Sequence, residues 1–90
     1  MTPEELLGKV HDRPSFVSFV HALAEERELA MAEEQADPAR YCLDGARDWK
    51  NADIASFLYA ALTLFEDHHP NEAPSWSRFA EFLYSGKVIE

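Results

Sequence analysis

Residues 51–67, NADIASFLYAALTLFED, predict the helix around which the rest of the chain is organised. Asn51 can cap its first turn, and Asp53 adds a negative charge where the helix dipole favours one. Apolar residues then recur at the three- and four-residue steps of a helix: Ile54, Phe57, Leu58, Ala61, Leu64 and Phe65. The opposite side is mostly filled by Tyr59, Ala60 and Leu62. Because such a helix is apolar around most of its circumference, we expect other elements to surround it in the core.

Two further helices are predicted before this one. Thr2 and Pro3 form a typical helix start, and the short helix that they begin is expected to end near His11. A second helix, capped by Asp12 or Ser15, is predicted from about residue 13 to residue 36, before the Asp-Pro pair at 37–38. It would be about 36 Å long, which exceeds the roughly 30 Å diameter of a compact domain of this size. Its acidic end is therefore expected to project, to pack on a second copy or a partner, or to fray in solvent.

The last helix is predicted over residues 76–85, capped by Ser75 and closed by Gly86 just past its end. The tail, residues 87–90, contains two β-branched residues. It is expected either to lie extended over the helices or to pair as a single strand with part of segment 38–50. The predicted fold is all-α: one domain, residues 1–90, with a compact bundle of about four helices and a short extended C-terminal tail. In that bundle the core helix, 52–67, packs against 13–36 and 76–85.

Charge is the most distinctive bulk property of the chain. It has 17 acidic and 8 basic residues among 90, a formal net charge of −9 and a pI near 4.7. Such a field repels nucleic acid and anionic membranes and attracts a basic protein surface, although solubility alone also explains it. The single cysteine and an N-terminus without a basic or apolar leader predict a cytoplasmic protein.

Residues 76–90, WSRFAEFLYSGKVIE, resemble the closing motif of a family of small acidic bacterial proteins, roughly Trp-x-x-Phe-Ala-x-x-Leu-Tyr-x-Gly-Lys-Ile-Tyr-Glu. The segment RPSFVSFV at 13–20 and the Trp and apolar spacing of 49–58 are similar too, in the same order. Val88 and Ile89 depart from the usual Ile-Tyr pair. The family is known as a domain of unknown function. The resemblance implies a compact helical, bacterial, cytosolic protein and brings no catalytic residues with it.

Candidate chemistry is sparse. Residues 66–69, Glu-Asp-His-His, are the only cluster of histidines and carboxylates, but adjacent histidines do not share a helix face as metal ligands require. Cys42 has no CxxC partner, although Arg40 and Arg47 could lower its pKa if they converge on it. The chain has neither a phosphate-binding glycine loop nor a recognisable Ser-His-Asp arrangement. We therefore predict no enzymatic activity, no cofactor and no metal site.

The remaining candidates are the acidic end of the second helix, 25–37, and the aromatic segment 38–50. Acidic residues beside exposed aromatics are typical of a protein–protein interface. The predicted interaction residues are Glu25, Glu26, Glu33, Glu34, Tyr41, Asp44, Asp48 and Trp49. The opposing interpretation keeps Tyr41 and Trp49 in the core.

The leading functional hypothesis is a non-catalytic interaction module that binds a basic protein, with an immunity- or antitoxin-like role as an extension from size and charge. The first alternative is a small metal- or ligand-binding protein that uses His68, His69 and Cys42. The second is a structural homodimer joined along the apolar stripe of 23–31.

Overall fold

The computed structural model describes residues 1–42, 45–68 and 73–89, apart from the side chains at 64 and 66–68. Over these ranges the backbone forms four α-helices and one 3₁₀ turn, and no strand. The helices are α1 (Pro3–Leu7), α2 (Arg13–Ala36), α3 (Ile54–His68) and α4 (Trp76–Val88), and the 3₁₀ turn is Ala46–Asp48. The prediction of an all-α fold with four helices is confirmed.

Local capping by residues that the sequence predicts accounts for the starts of α1, α2 and α4. The Thr2 hydroxyl accepts a hydrogen bond from the Glu5 N–H at 3.2 Å, and the Ser75 hydroxyl accepts one from the Arg78 N–H at 3.1 Å. At α2 the exchange is reciprocal, because Asp12 accepts from the Ser15 N–H (3.0 Å) and the Ser15 hydroxyl accepts from the Asp12 N–H (3.1 Å). These caps satisfy N–H groups that have no partner inside the helix.

The predicted cap of α3 is wrong by two residues. The Asp53 carboxylate accepts the Ser56 N–H at 2.9 Å, and the helix begins at Ile54. Asn51 instead donates its side-chain amide to the carbonyl oxygens of Gly86 (2.9 Å) and Ile89 (2.5 Å). Asn and Asp are both good capping residues, so local preference does not decide between Asn51 and Asp53 as the cap. The contact of Asn51 with the end of α4 decides it.

The predicted end of α4 is also wrong, because Gly86 lies within a helix that continues through Val88. A Cβ on Gly86 would lie 2.8 Å from atoms of the Phe57 ring. Glycine here permits α3 and α4 to approach closely and does not end the helix. Of the tail that was expected to be extended, only Ile89 is extended among the described residues.

The core lies between α1, α2, α4 and the segment after α2. Phe19 is the largest apolar side chain that is fully buried. The buried apolar cluster is Val10, Phe19, Leu23, Ala30, Ala46, Trp49 and Ala80. None of the described side chains of α3 belongs to this cluster, although Phe57 packs against its edge. Apolar periodicity therefore identified the side chains that could pack, while α2 supplies more of the actual core.

The expectation that α3 is the surrounded central helix is wrong. It packs mainly along α4, whereas α2 packs against α1, α4 and the 3₁₀ turn. Among the described side chains of α3 the buried ones are small, Ala60 and Ala61, which allow close approach of the α4 backbone. Large side chains on its other side stay exposed, as described below. The protein measures 43 × 27 × 17 Å along its principal axes, so its thinnest dimension is less than two helix diameters of about 10 Å each.

Candidate interaction surface

The segment that follows α2 folds back onto the acidic end of that helix. Glu34 forms a two-point pair with the Arg27 guanidinium (3.1 and 2.8 Å) and accepts the Ala46 N–H at 3.0 Å. The hydrogen bond from Arg27 holds the pKa of Glu34 below its usual value. Glu33 pairs with Arg47 at 2.8 Å. The chain itself therefore covers one side of the acidic end, which does not project freely from the fold.

Trp49 lies inside the core, at 5% exposure, as the opposing interpretation held. Its indole N–H donates to the Glu26 carboxylate at 3.0 Å, and the Arg27 guanidinium lies 5.4 Å from its ring centroid. Tyr41 is partly buried against the same core. Of the predicted interaction residues, Glu25 and Asp48 are exposed, and Asp44 lies outside the described residues.

Beneath Trp49 lies a buried lysine that the sequence reasoning placed in an extended tail. Lys87 is 1% exposed, and its ammonium nitrogen lies 2.6 Å from a carboxylate oxygen of both Glu4 and Glu26. It also approaches the ring centroids of Trp49 (5.8 Å) and Tyr84 (5.9 Å). We call Lys87, Glu4, Glu26 and Trp49 the Lys87 cluster. It ties α1, α2 and α4 to the segment before α3.

The pKa values in this cluster follow from the balance of burial and pairing. Burial alone lowers the pKa of Lys87, but its hydrogen bonds to Glu26 and Glu4 outweigh that effect and raise it above the usual value. For Glu4, burial raises the pKa, and the hydrogen bond from Lys87, with smaller contributions, brings it below the usual value. Both shifts favour the charged pair. The cluster is therefore a structural ion network, in which the Lys87 ammonium is paired with carboxylates of the same chain.

A tight turn carries Trp49 into that position. Arg47 and Asp48 both have positive φ, 55° and 65°, a left-handed region that non-glycine residues rarely adopt. A Cβ on Gly45 would collide with the Trp49 carbonyl oxygen, so only glycine fits there. The pairing of Arg47 with Glu33 and the burial of Trp49 hold this conformation. The strain serves to pack the segment.

The outer side of α3 presents a contiguous set of large apolar side chains. Ile54 is 79% exposed and Tyr59 72%. We define the α3 apolar face as Ile54, Leu58, Tyr59, Leu62 and Phe65, all of which are exposed. Residues spaced by three or four positions are neighbours on a helix surface, so these side chains form one patch. The sequence did not reveal this patch. A helix with one apolar side packed and another exposed has the same residue pattern as a helix that is buried on all sides.

A groove of about 360 Å³ opens at the N-terminal end of this face. Its lining is mostly apolar, and includes Trp49, Ile54, Phe57 and Leu58. Two charged groups complete it. The Arg27 guanidinium is neutralised by Glu34, whereas Asp53 is fully charged, since hydrogen bonds from the backbone and side chain of Ser56 hold its pKa below the usual value. The groove can accept an apolar side chain beside a cationic one.

A smaller aromatic site lies at the start of α4. Phe16 and Trp76 have ring centroids 5.4 Å apart, and Phe79 packs edge-on against Trp76 at 5.8 Å. A depression of about 290 Å³ is lined by Trp76 and Phe79, together with His11 and Ser75. The rings pack on each other and on α2, and Trp76 and Phe79 remain 36% and 42% exposed.

The proposed metal alternative receives no support from the described part of the chain, where no three His, Cys, Asp or Glu side chains converge as ligands. Cys42 is exposed. The side chain of His68, and all of residue 69, lie outside the described residues, so the His-His cluster stays a prediction.

No protein-family model, curated protein or solved structure matches the chain. The resemblance of residues 76–90 to a family of unknown function therefore stays a prediction from the motif. Within the described ranges, none of the helices is long and apolar enough to cross a membrane.

Proposed function

We propose that this protein is a non-catalytic interaction module that binds a protein partner through the α3 apolar face. The observation that carries the proposal is the exposure of five large apolar side chains on one helix, in a chain whose net charge of −9 otherwise favours a polar surface. Single exposed hydrophobic residues are ordinary, but contiguous patches mark interaction sites. Tyr59, at 72% exposure, is of a residue type that is enriched among interface anchors.

The acidic character of the chain supports a basic partner, as the sequence predicted. Much of the negative charge on α2 is used inside the molecule, since Glu26, Glu33 and Glu34 each pair with a cation. The proposal therefore moves the centre of the contact from the acidic end of α2 to α3. The remaining negative charge steers the encounter and surrounds the apolar centre.

The test compares immobilised wild-type protein with two leucine variants in a lysate of the producing cells. Leu58→Ser alters the α3 apolar face, while Leu29→Ser makes the same change on α2 at similar exposure (45% and 52%). Leu29 lines a separate depression beside Thr2 and Pro3. We expect a protein that the wild type and Leu29→Ser retain and Leu58→Ser does not, measured by quantitative mass spectrometry. The absence of any protein with that pattern would contradict the proposal.

A further inference from the structure

We infer that the occupant of the α3 apolar face is an amphipathic helix of a partner protein whose apolar stripe is flanked by lysine or arginine. This inference rests on the proposed function and names the chemistry of the partner.

The shape of the α3 apolar face fits a second helix. Ile54, Leu58 and Leu62 follow one another at four-residue steps and are exposed. Rows at this spacing form the ridges that pack into the grooves of a second helix. Because α3 packs mainly along α4 and the protein is only 17 Å thick, this row lies on an open side. The 15 residues of α3 span about 22 Å, which matches a partner helix of about four turns.

The charge near the α3 apolar face favours a partner with basic flanks. Residues 51–67 contain Asp53, Glu66 and Asp67 and no lysine or arginine. The Asp53 carboxylate lines the groove at the N-terminal end of the face, and Arg27, the cation in the same lining, is already paired with Glu34. A helix with basic flanks would find a charged partner at Asp53, and an acidic one would be repelled.

The same charges argue against a second copy of this chain as the occupant. A twofold contact between two α3 helices pairs a segment with itself. If the helices run parallel, Asp53 meets Asp53. Either arrangement, parallel or antiparallel, also brings together two chains that each have a net charge of −9.

The experiment uses synthetic, fluorescently labelled helical peptides of about 16 residues, long enough to cover α3. One has leucines on one face and lysines elsewhere. A second replaces the lysines by glutamates, and a third replaces the leucines by serines. Binding to the whole protein is measured by fluorescence anisotropy at physiological ionic strength. We expect the leucine–lysine peptide to bind at least about tenfold more tightly than either of the others.

Matched protein variants locate the site. Leu58→Ser should weaken the leucine–lysine peptide about tenfold, and Leu29→Ser should change its affinity less than about twofold. Asp53→Asn removes the charge and keeps a residue type that caps α3, so it should weaken the same peptide by about two- to fivefold, more at low salt. Circular dichroism confirms that each variant is folded.

Three results would overturn the inference. One is binding that Leu58→Ser and Leu29→Ser affect equally, which would indicate general attraction to an acidic chain. Another is equal binding of the glutamate peptide. The last is a wild-type protein that is a dimer at micromolar concentration and a Leu58→Ser variant that is a monomer. That result would assign the face to a second copy. If a cellular protein depends on Leu58 while every peptide fails, the proposed function stands and the basic helix does not.

Discussion

The Lys87 cluster and the α3 apolar face reverse the usual distribution of residue types. One places a lysine at 1% exposure, and the other leaves an isoleucine at 79%. The difference lies in what each group meets. Lys87 finds two carboxylates and two aromatic rings within the chain, whereas Ile54 faces outward.

The comparison separates stability from binding. A buried charge is tolerated only with its partners in place, so the Lys87 cluster is sensitive to the loss of any one of them. An exposed apolar side chain contributes little to folding, and the free energy of burying it, about 25 cal/mol per Å², is available to a partner. Damage to the first region should therefore unfold the protein, and damage to the second should leave it folded.

The largest effect is expected from Lys87→Met. The change removes the cation and leaves Glu26, whose side chain is 12% exposed, as a buried carboxylate. We expect the free energy of unfolding to fall by about 3 kcal/mol or more, measured by urea denaturation. Lys9→Met, at an exposed lysine, should change it by less than about 0.5 kcal/mol. Similar losses in the two variants would mean that the cluster does not stabilise the fold.

Glu34→Gln should have the next largest effect, because it breaks a two-point pair with Arg27 and weakens the bond to Ala46. We expect a loss of about 1–3 kcal/mol near neutral pH. The pKa of Glu34 is lowered in the folded state, chiefly by Arg27. Its stabilisation is therefore present above the unfolded value of about 4.3 and is lost as the pH falls through the folded value.

The gap in unfolding free energy between wild type and Glu34→Gln should accordingly narrow below about pH 4. Glu28→Gln, at an exposed carboxylate of the same helix, provides the control and should stay within about 0.5 kcal/mol of wild type. A gap that is constant across this pH range would show that the charge of Glu34 is not what holds the segment.

Gly86→Ala tests the close contact between α3, which carries the apolar face, and the end of α4, which carries Lys87. Its Cβ would lie 2.8 Å from the Phe57 ring, so either this ring or the helix that carries it must shift. We expect a loss of about 1–2 kcal/mol, because overpacking outweighs the gain in helix propensity. The matched change Gly8→Ala meets nothing within 4 Å and should stabilise the protein slightly, by about 0.5 kcal/mol. Thermal unfolding of both variants measures the difference. Equal changes in melting temperature would mean that α3 and α4 are not closely packed at Gly86.

The smallest effect is expected from Ile54→Ala, on the α3 apolar face. Since Ile54 is 79% exposed, its truncation should change the free energy of unfolding by less than about 0.5 kcal/mol. Leu23→Ala, at a core position, should cost about 2–5 kcal/mol. Urea denaturation distinguishes them. A large loss at Ile54 would restore α3 as the surrounded central helix and remove the basis for the proposed interface.

The helix starts show how far local reasoning reaches. Thr2 and Ser75 cap the helices that they were predicted to cap, and Asp12 is the N-cap of α2, for which the sequence left Asp12 or Ser15 open. Each of these bonds joins residues three apart. Asn51 and Gly86 were misassigned because their roles depend on each other and on Phe57, residues far apart in the chain. A capping preference says only what a residue can do locally.

The candidate site shows the same limit. The acidic end of α2 was predicted as a surface from its composition, but the cations Arg47 and Lys87 reach it from later in the chain. Lys87 continues the row of Ala80 and Leu83 at helical steps, a pattern that could have indicated an inward position. Lysine in such a row usually extends its charge to water, so the pattern alone was ambiguous.

By itself the sequence determined the all-α class, the helix starts at α1, α2 and α4, and the acidic charge, because periodicity, capping and composition act over a few residues. Only the tertiary structure decided which helix is surrounded. The apolar positions of α2 and α3 compete for the same small core, and that outcome depends on close approach at Gly86, on the tight turn at Gly45 and on the charges that converge on Lys87. Those contacts join distant parts of the chain, so no local pattern contains them.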